Sequence, residues 1–262
     1  MSTLPATALS ARIAGVGFWC NGLPSWAAAC TFAASGELDP AAPAKPQPQL
    51  LAPNERRRAP ESVAVALDVA LAACTHAGAD PATLASVFAS THGDLAITDY
   101  MCATLAQDPA AISPIRFHNS VHNAAAGYWT IGNGCTAPTT AISASDASFA
   151  QGLLEALSQL AAGAPQVLLV AYDTTAVGPA AALWASSGLL GAALVMTAEG
   201  TGPRLTASLE DGDAPAGDGP LAVHACGNAM APMLPLFDAL AVHGEGAILH
   251  AAPGRVLRVR LD

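Results

Sequence analysis

The stretch Val167-Leu168-Leu169-Val170-Ala171 restricts the fold more than any other part of the chain. A short, continuous apolar run of this kind fills the middle of a parallel sheet that is covered on both faces. Just before it, Ala150, Leu153, Leu154, Leu157 and Leu160 repeat at three- and four-residue steps and give a helix its apolar face. The same alternation extends through much of the chain. Arg12–Phe18, Leu84–Ser90 and Thr139–Ala144 read as strands, and Ser25–Ala33, Ile97–Ala106 and Asn119–Gly132 as helices. Pro60-Glu61-Ser62 opens another helix, with Val63, Leu67, Ala70, Leu71 and Cys74 on one face. Alternating strands and helices imply an α/β domain with a mainly parallel mixed sheet and helices on both faces.

Later segments are less regular. Ala192–Thr197 and Arg204–Leu209 suggest a hairpin across Glu199-Gly200-Thr201-Gly202, with a loop over Glu210–Gly219. A helix falls within Ala229–Val242, where Pro232 and Pro235 fit only near its first turn, and Arg255–Leu261 reads as the last strand. Gly36–Pro53 is rich in Pro and Ala and reads as a surface loop. The 262 residues permit one large domain or two small ones, and the reading adopted is a single domain over 1–262.

Charged residues are only 11% of the chain, against roughly 25% in ordinary soluble domains. So few charges point to a large surface covered by another subunit, although abundant Ala also lowers the fraction. The net charge of −10 disfavours nucleic acid, anionic membrane and direct docking of acidic carrier proteins. No apolar run reaches the length of a membrane span. Met1–Gly22 has one Arg and an apolar run, Ile13–Trp19, without a small-residue cleavage pattern, so a cytoplasmic protein is expected. Six cysteines, Cys20, Cys30, Cys74, Cys102, Cys135 and Cys226, include no C-x-x-C pair and read as buried thiols, with no metal and no cofactor implied.

Ser113–Asp173 carries the functional signal. Ala126-Gly127-Tyr128-Trp129-Thr130-Ile131-Gly132-Asn133-Gly134-Cys135-Thr136-Ala137-Pro138 resembles the β-ketoacyl synthase family, which has the thiolase fold, in the helix that leads to its Gly-Pro and nucleophile strand. Ala137 stands where the family has Gly. The family's nucleophilic Cys follows that Pro by eight residues, a position held here by Asp146, and Gly163 with Val167–Ala171 continues the register. A helix amino-terminus suits a thiolate. The carboxylate of Asp146 lacks thiolate nucleophilicity and repels the anionic carboxyl of a malonyl group. Ser145 and Asp146 are also good helix-capping residues, so Asp146 reads as a cap. Cys135 lies eleven residues too early to replace the missing thiol.

The string Phe117–Gly127 is similar to a subgroup of short synthase-like proteins of aryl polyene biosynthesis. These resemble chain-length factors, the inactive partners of type II ketosynthases. The resemblance implies a non-catalytic subunit that pairs with an active β-ketoacyl synthase and shapes its acyl tunnel, with acyl carrier protein engaged mainly through that partner. It also places Arg116, Phe117, His118, Asn119 and His122 at the tunnel or interface. Phe117 is either a plug across the dimer axis or part of this chain's own core. His118 and His122, four apart on one helix face, could bind metal, but interface hydrogen bonding is preferred. Arg56, Arg57 and Arg58 could grip a carrier-protein phosphate or simply be solvated. Thr91-His92-Gly93-Asp94 follows a strand end, where α/β sites gather. Val242-His243-Gly244-Glu245-Gly246 echoes a family His motif but is explained by a helix-to-strand loop. An active 3-oxoacyl-carrier-protein synthase or malonyl decarboxylase, and a stand-alone acyl-binding module, remain the alternatives.

Overall fold

A computed structural model of the protein describes residues 8–262. Of the opening stretch read for a targeting signal, residues 1–7 lie outside the described residues. Along the chain come β1 (Leu9–Cys20), α1 (Trp26–Ser35), α2 (Pro53–Arg56), α3 (Glu61–Ala77), β2 (Ala85–Ala89) and α4 (Leu95–Gln107). Then follow α5 (Pro114–Asn119), α6 (Ala124–Asn133), β3 (Thr139–Ile142), α7 (Ser148–Ala161), β4 (Gln166–Asp173) and β5 (Leu190–Thr197). The chain finishes with β6 (Arg204–Asp211), α8 (Pro220–His224), α9 (Leu234–Ala241), β7 (Gly246–Ala252) and β8 (Arg255–Leu261).

One mixed sheet orders the strands β3-β2-β4-β5-β1-β6-β8-β7. The apolar run Val167–Ala171 lies inside β4, between β2 and β5, and is fully buried. Helices cover both faces: α7, α1 and α9 enclose one core around Leu153, Phe149 and Phe237, while α3 and α6 enclose the other around Leu67, Trp129 and Phe88. The α/β class with a mixed sheet therefore holds, but its directions are mostly antiparallel. Only β2–β3 and β2–β4 are parallel. The alternation that signals parallel crossovers is confined to the β2–β4 region, whereas β7 and β8 are joined by the tight turn Pro253-Gly254.

The expected hairpin between β5 and β6 does not form, because β1 stands between them, paired with both. Stepping across one strand covers two spacings, about 10 Å, which residues 198–203 can span. The connection is itself fastened to β1: Ile13 N–H donates to Pro203 O at 3.0 Å and Arg12 Nη1 to Gly202 O at 3.1 Å. β1 also lies hard against α3. A Cβ on Gly15 or Gly17 would overlap the carbonyls of Ala73 or Val69, so only glycine permits this approach.

Local chemistry sets the helix ends. Ser25 and Asp94 accept the N–H of Ala28 and Ile97 and cap α1 and α4, and Gly78 in the left-handed region closes α3. Pro232 and Pro235 do fall at first-turn positions, of a short 3-10 turn and of α9. The helix read over Asn119–Gly132 forms as α6 but starts only at Ala124, and Asn119 instead ends a separate helix, α5. Ser120 Oγ donates back to Phe117 O at 2.8 Å, and His122 turns toward β2, where Nε2 meets Ser90 O at 2.8 Å. His118 and His122 therefore share no helix face. The cysteines are not uniformly buried: Cys102 and Cys226 are exposed and Cys30 is half-buried. Burial pushes the thiols of Cys20 and Cys74 up to about 12.

Candidate functional site

The parallel strands β3, β2 and β4 run in one direction, so their carboxyl ends bring three loops together. These loops are Ser90–Asp94, Ser143–Asp146 and the residues after Asp173. Asp173 is fully buried at their junction. It accepts from Ser90 Oγ at 2.7 Å, Thr91 N–H at 2.9 Å and His92 N–H at 3.4 Å. Burial raises its carboxyl above the usual range, while these three donors favour the charged form. Asn228 ties the same junction to the loop before β5, donating to the carbonyls of Asp173, Ser187 and Gly188 at 3.2–3.3 Å. Neither Asp173 nor Asn228 was singled out from the sequence. A carboxylate ending a wholly apolar strand was the available signal.

Asp146 stands in the turn between β3 and α7, exposed, and follows Ser145, whose φ of 52° is left-handed. The capping expectation fails, since α7 begins at Ser148 and receives no side-chain cap. Ser148 holds the turn instead, donating to Ser145 O at 2.7 Å and accepting Ala144 N–H at 2.9 Å. The side chain of Asp146 is thereby left facing a cleft of about 700 Å³ whose far wall includes Cys226, Asn228 and His250. No thiol occupies the turn. Among the described residues no group of three or more His, Cys, Asp or Glu is placed to hold a metal.

Around α5 the residues that the resemblance implies for a tunnel or interface divide sharply. Phe117 is 60% exposed and Arg116 and His118 are exposed, whereas Asn119 is buried. Phe117 is thus no part of this chain's own core. The Arg116 guanidinium lies 4.1 Å from the centre of the Tyr100 ring, and the His118 ring packs edge-on to Tyr128. Other large apolar side chains are also open to solvent: Ile131 of α6, and Leu183 and Trp184, the latter 6.0 Å from the His92 ring. Strand β3 is an outer edge of the sheet. Ser86 and Ser90 N–H donate to the carbonyls of Pro138 and Ile142, so the alternate residues Thr139 and Ala141 turn their backbone groups outward.

The remaining candidates lie apart from this arrangement. Arg56 donates to Gln49 Oε1 and Leu51 O and Arg57 to Asn54, so two of the three arginines serve local contacts. His243 is exposed in the α9–β7 loop with a left-handed φ of 54°, as a helix-to-strand connection requires. No described helix is long and apolar enough to cross a membrane.

A three-strand parallel core thus feeds a strand–turn–helix at residue 146, with both faces of the sheet covered. Residues 26–232 match the family "Beta-ketoacyl synthase, N-terminal domain", and the chain belongs to it. None of the curated proteins matches. Among solved structures, the ketosynthase ApeO in complex with its chain length factor ApeC from Xenorhabdus doucetiae contains a chain 22% identical, covering 96% of this chain and 99% of that one, with a TM-score of 0.76. The ishigamide ketosynthase/chain length factor is similar over 97% and 99% at 14% identity and a TM-score of 0.69. A type II polyketide acyl-carrier protein in complex with its ketosynthase, AntDE:AntF, matches at 16% identity over 74% and 64%, with a TM-score of 0.60. At these identities the likeness is one of fold.

Proposed function

We propose that this chain acts as one domain, a chain-length-factor-like subunit that pairs with an active type II β-ketoacyl synthase, helps to wall its acyl tunnel and supplies no nucleophile. The observation that supports the reading is Asp146, exposed at the strand-to-helix turn at the position where the sequence resemblance expects the family's thiol. A carboxylate there cannot accept an acyl group as a thiolate does. The open edge of β3 and the solvent-facing Phe117, Ile131, Leu183 and Trp184 support a pairing surface, since exposed strand edges and apolar groups of this size favour burial against a partner. Arg116, Phe117, His118, Asn119 and His122 line that interface or tunnel in this reading, and acyl carrier protein is engaged mainly through the partner. The Phe117–Gly127 string favours a place in aryl polyene synthesis.

The test is co-expression with a ketosynthase of the same biosynthetic system. The expected result is a co-purifying complex in which only the ketosynthase is acylated on incubation with acyl-carrier thioester, read by intact-protein mass spectrometry. Ala141→Pro, which removes an outward edge N–H, is expected to abolish pairing while the free chain keeps its circular dichroism spectrum. A stable acyl adduct on this chain would refute the inert-subunit reading.

A further inference from the structure

His92 packs against the tip of the loop between β4 and β5. The stem of this loop is pinned: Ser186 is buried, Ser187 N–H donates to Gly227 O at 2.8 Å, and Asn228 Nδ2 reaches Ser187 O and Gly188 O. The tip is held lightly. Leu183, Trp184 and Ala185 are exposed, Gly178 lies beside Asp99, and the Trp184 ring stands 6.0 Å from that of His92. The His92 ring is unevenly satisfied, because its Nε2 is buried with no hydrogen-bond partner while Nδ1 is not enclosed in this way. A neutral imidazole with its proton on Nδ1 fits this arrangement. The cation does not, since both nitrogens then donate, and a buried charged donor without an acceptor is costly. The charges around it are committed elsewhere. Asp173 accepts from Ser90, Thr91 and the His92 backbone, Asp94 from Ser62 and Ile97, and His122 Nε2 meets Ser90 O. Asp146, in the turn that Thr91 touches, is exposed, and residues 174–189 carry no charge.

From this geometry we infer that Trp184 and the loop tip form a lid over His92 that opens when the imidazole takes a proton from solvent onto Nε2. Histidines gain a proton between about pH 8 and 5. The new N–H finds its acceptor in water, which reaches it only once Trp184 has moved. A cation–aromatic attraction to Trp184 opposes the opening, but it is weaker than the lost hydration of a buried charged donor. The pinned stem confines the movement to the tip. Leu183 and Trp184 belong to the pairing surface proposed above, so opening weakens pairing below neutrality. That consequence rests on the subunit reading, whereas the lid itself needs only this chain.

Fluorine NMR of the chain labelled with 5-fluorotryptophan tests it, with the Trp184 signal among the four tryptophans assigned from Trp184→Phe. On lowering the pH from about 8 to about 5, the Trp184 signal is expected to move to the position of a fully solvated ring while those of Trp19 and Trp129 stay. His92→Phe, which keeps a ring and cannot take a proton, is expected to abolish the movement, and His122→Gln to leave it. Trp184→Ala, at an exposed position, keeps the test open even if the His92 variant fails to fold. Without its lid the His92 ring should take up its proton at higher pH, by the reciprocity of linked equilibria. A Trp184 signal that stays put, a movement that persists in His92→Phe or vanishes in His122→Gln, or a His92 titration unchanged in Trp184→Ala overturns the proposal. A lid that opens in a chain that pairs with no ketosynthase sinks the subunit reading and leaves the lid standing; pairing with an unmoved Trp184 sinks the lid alone.

Discussion

Phe117 and Phe149 differ by a single property, since one is 60% exposed and the other 2%. Phe117→Ala is therefore expected to shift the chain's own unfolding free energy by no more than about 0.5 kcal/mol, as at ordinary surface positions, where a core Phe costs about 3–5 kcal/mol. Urea titration of the free chain checks this, and longer or more varied carrier-bound products from the intact complex would then mark the ring as a tunnel plug. Asp173 bears on pH. Burial raises its carboxyl in the folded state, so between its unfolded and folded pKa values the folded protein holds more protons. Stability is expected to fall as pH rises through that window and to level off above it. Asp173→Asn should flatten this slope in urea midpoints measured from the carboxylate range to neutrality, leaving the parts from Asp68 and Asp238, which burial also raises. At this scale the sequence is a partial guide. Asp146 reads from the sequence as a cap, and that reading fails because the Ser148 hydroxyl holds the turn by bonds to two backbone groups that no spacing rule reveals. Asn119 is marked in the sequence only by the resemblance, and no local pattern shows that it is buried at the end of α5.

Elements with strong internal periodicity or dense apolar runs were readable, and elements defined by distant neighbours were not. β4 and α7 announce themselves through Val167–Ala171 and the Leu153–Leu160 face. β7 does not: Gly246-Ala247-Ile248-Leu249-His250-Ala251-Ala252 has little branched or aromatic content and is a strand because β8 pairs with it. The break between α5 and α6 is equally non-local, depending on the reach of His122 to Ser90. The contact between β1 and α3 gives this scale its prediction. Gly17→Ala places a methyl into the Val69 carbonyl, and overpacking of this kind costs about 1–3 kcal/mol or more. Thermal unfolding should show that loss, whereas Gly36→Ala, where a Cβ meets nothing within 4 Å, should lose less despite its left-handed φ of 73°.

Across the whole molecule, sparse charge goes with a sheet that is covered on its faces and open along its outer edge at β3. The class of fold was readable from the strand–helix alternation. The strand order was not, since it depends on β1 entering between two strands that lie far along the chain. That entry has a consequence for how the protein is made. β1 emerges first of the described strands, yet its two neighbours, β5 and β6, begin only at Leu190 and Arg204. About 170 residues separate Cys20 from Leu190, and at roughly 5–20 residues per second a ribosome needs about 10 to 30 s to deliver them. Throughout that interval an apolar strand containing Phe18 and Trp19 waits with both edges bare, so a nascent chain depends on α3 or on a chaperone to shelter it until the far end of the sequence arrives.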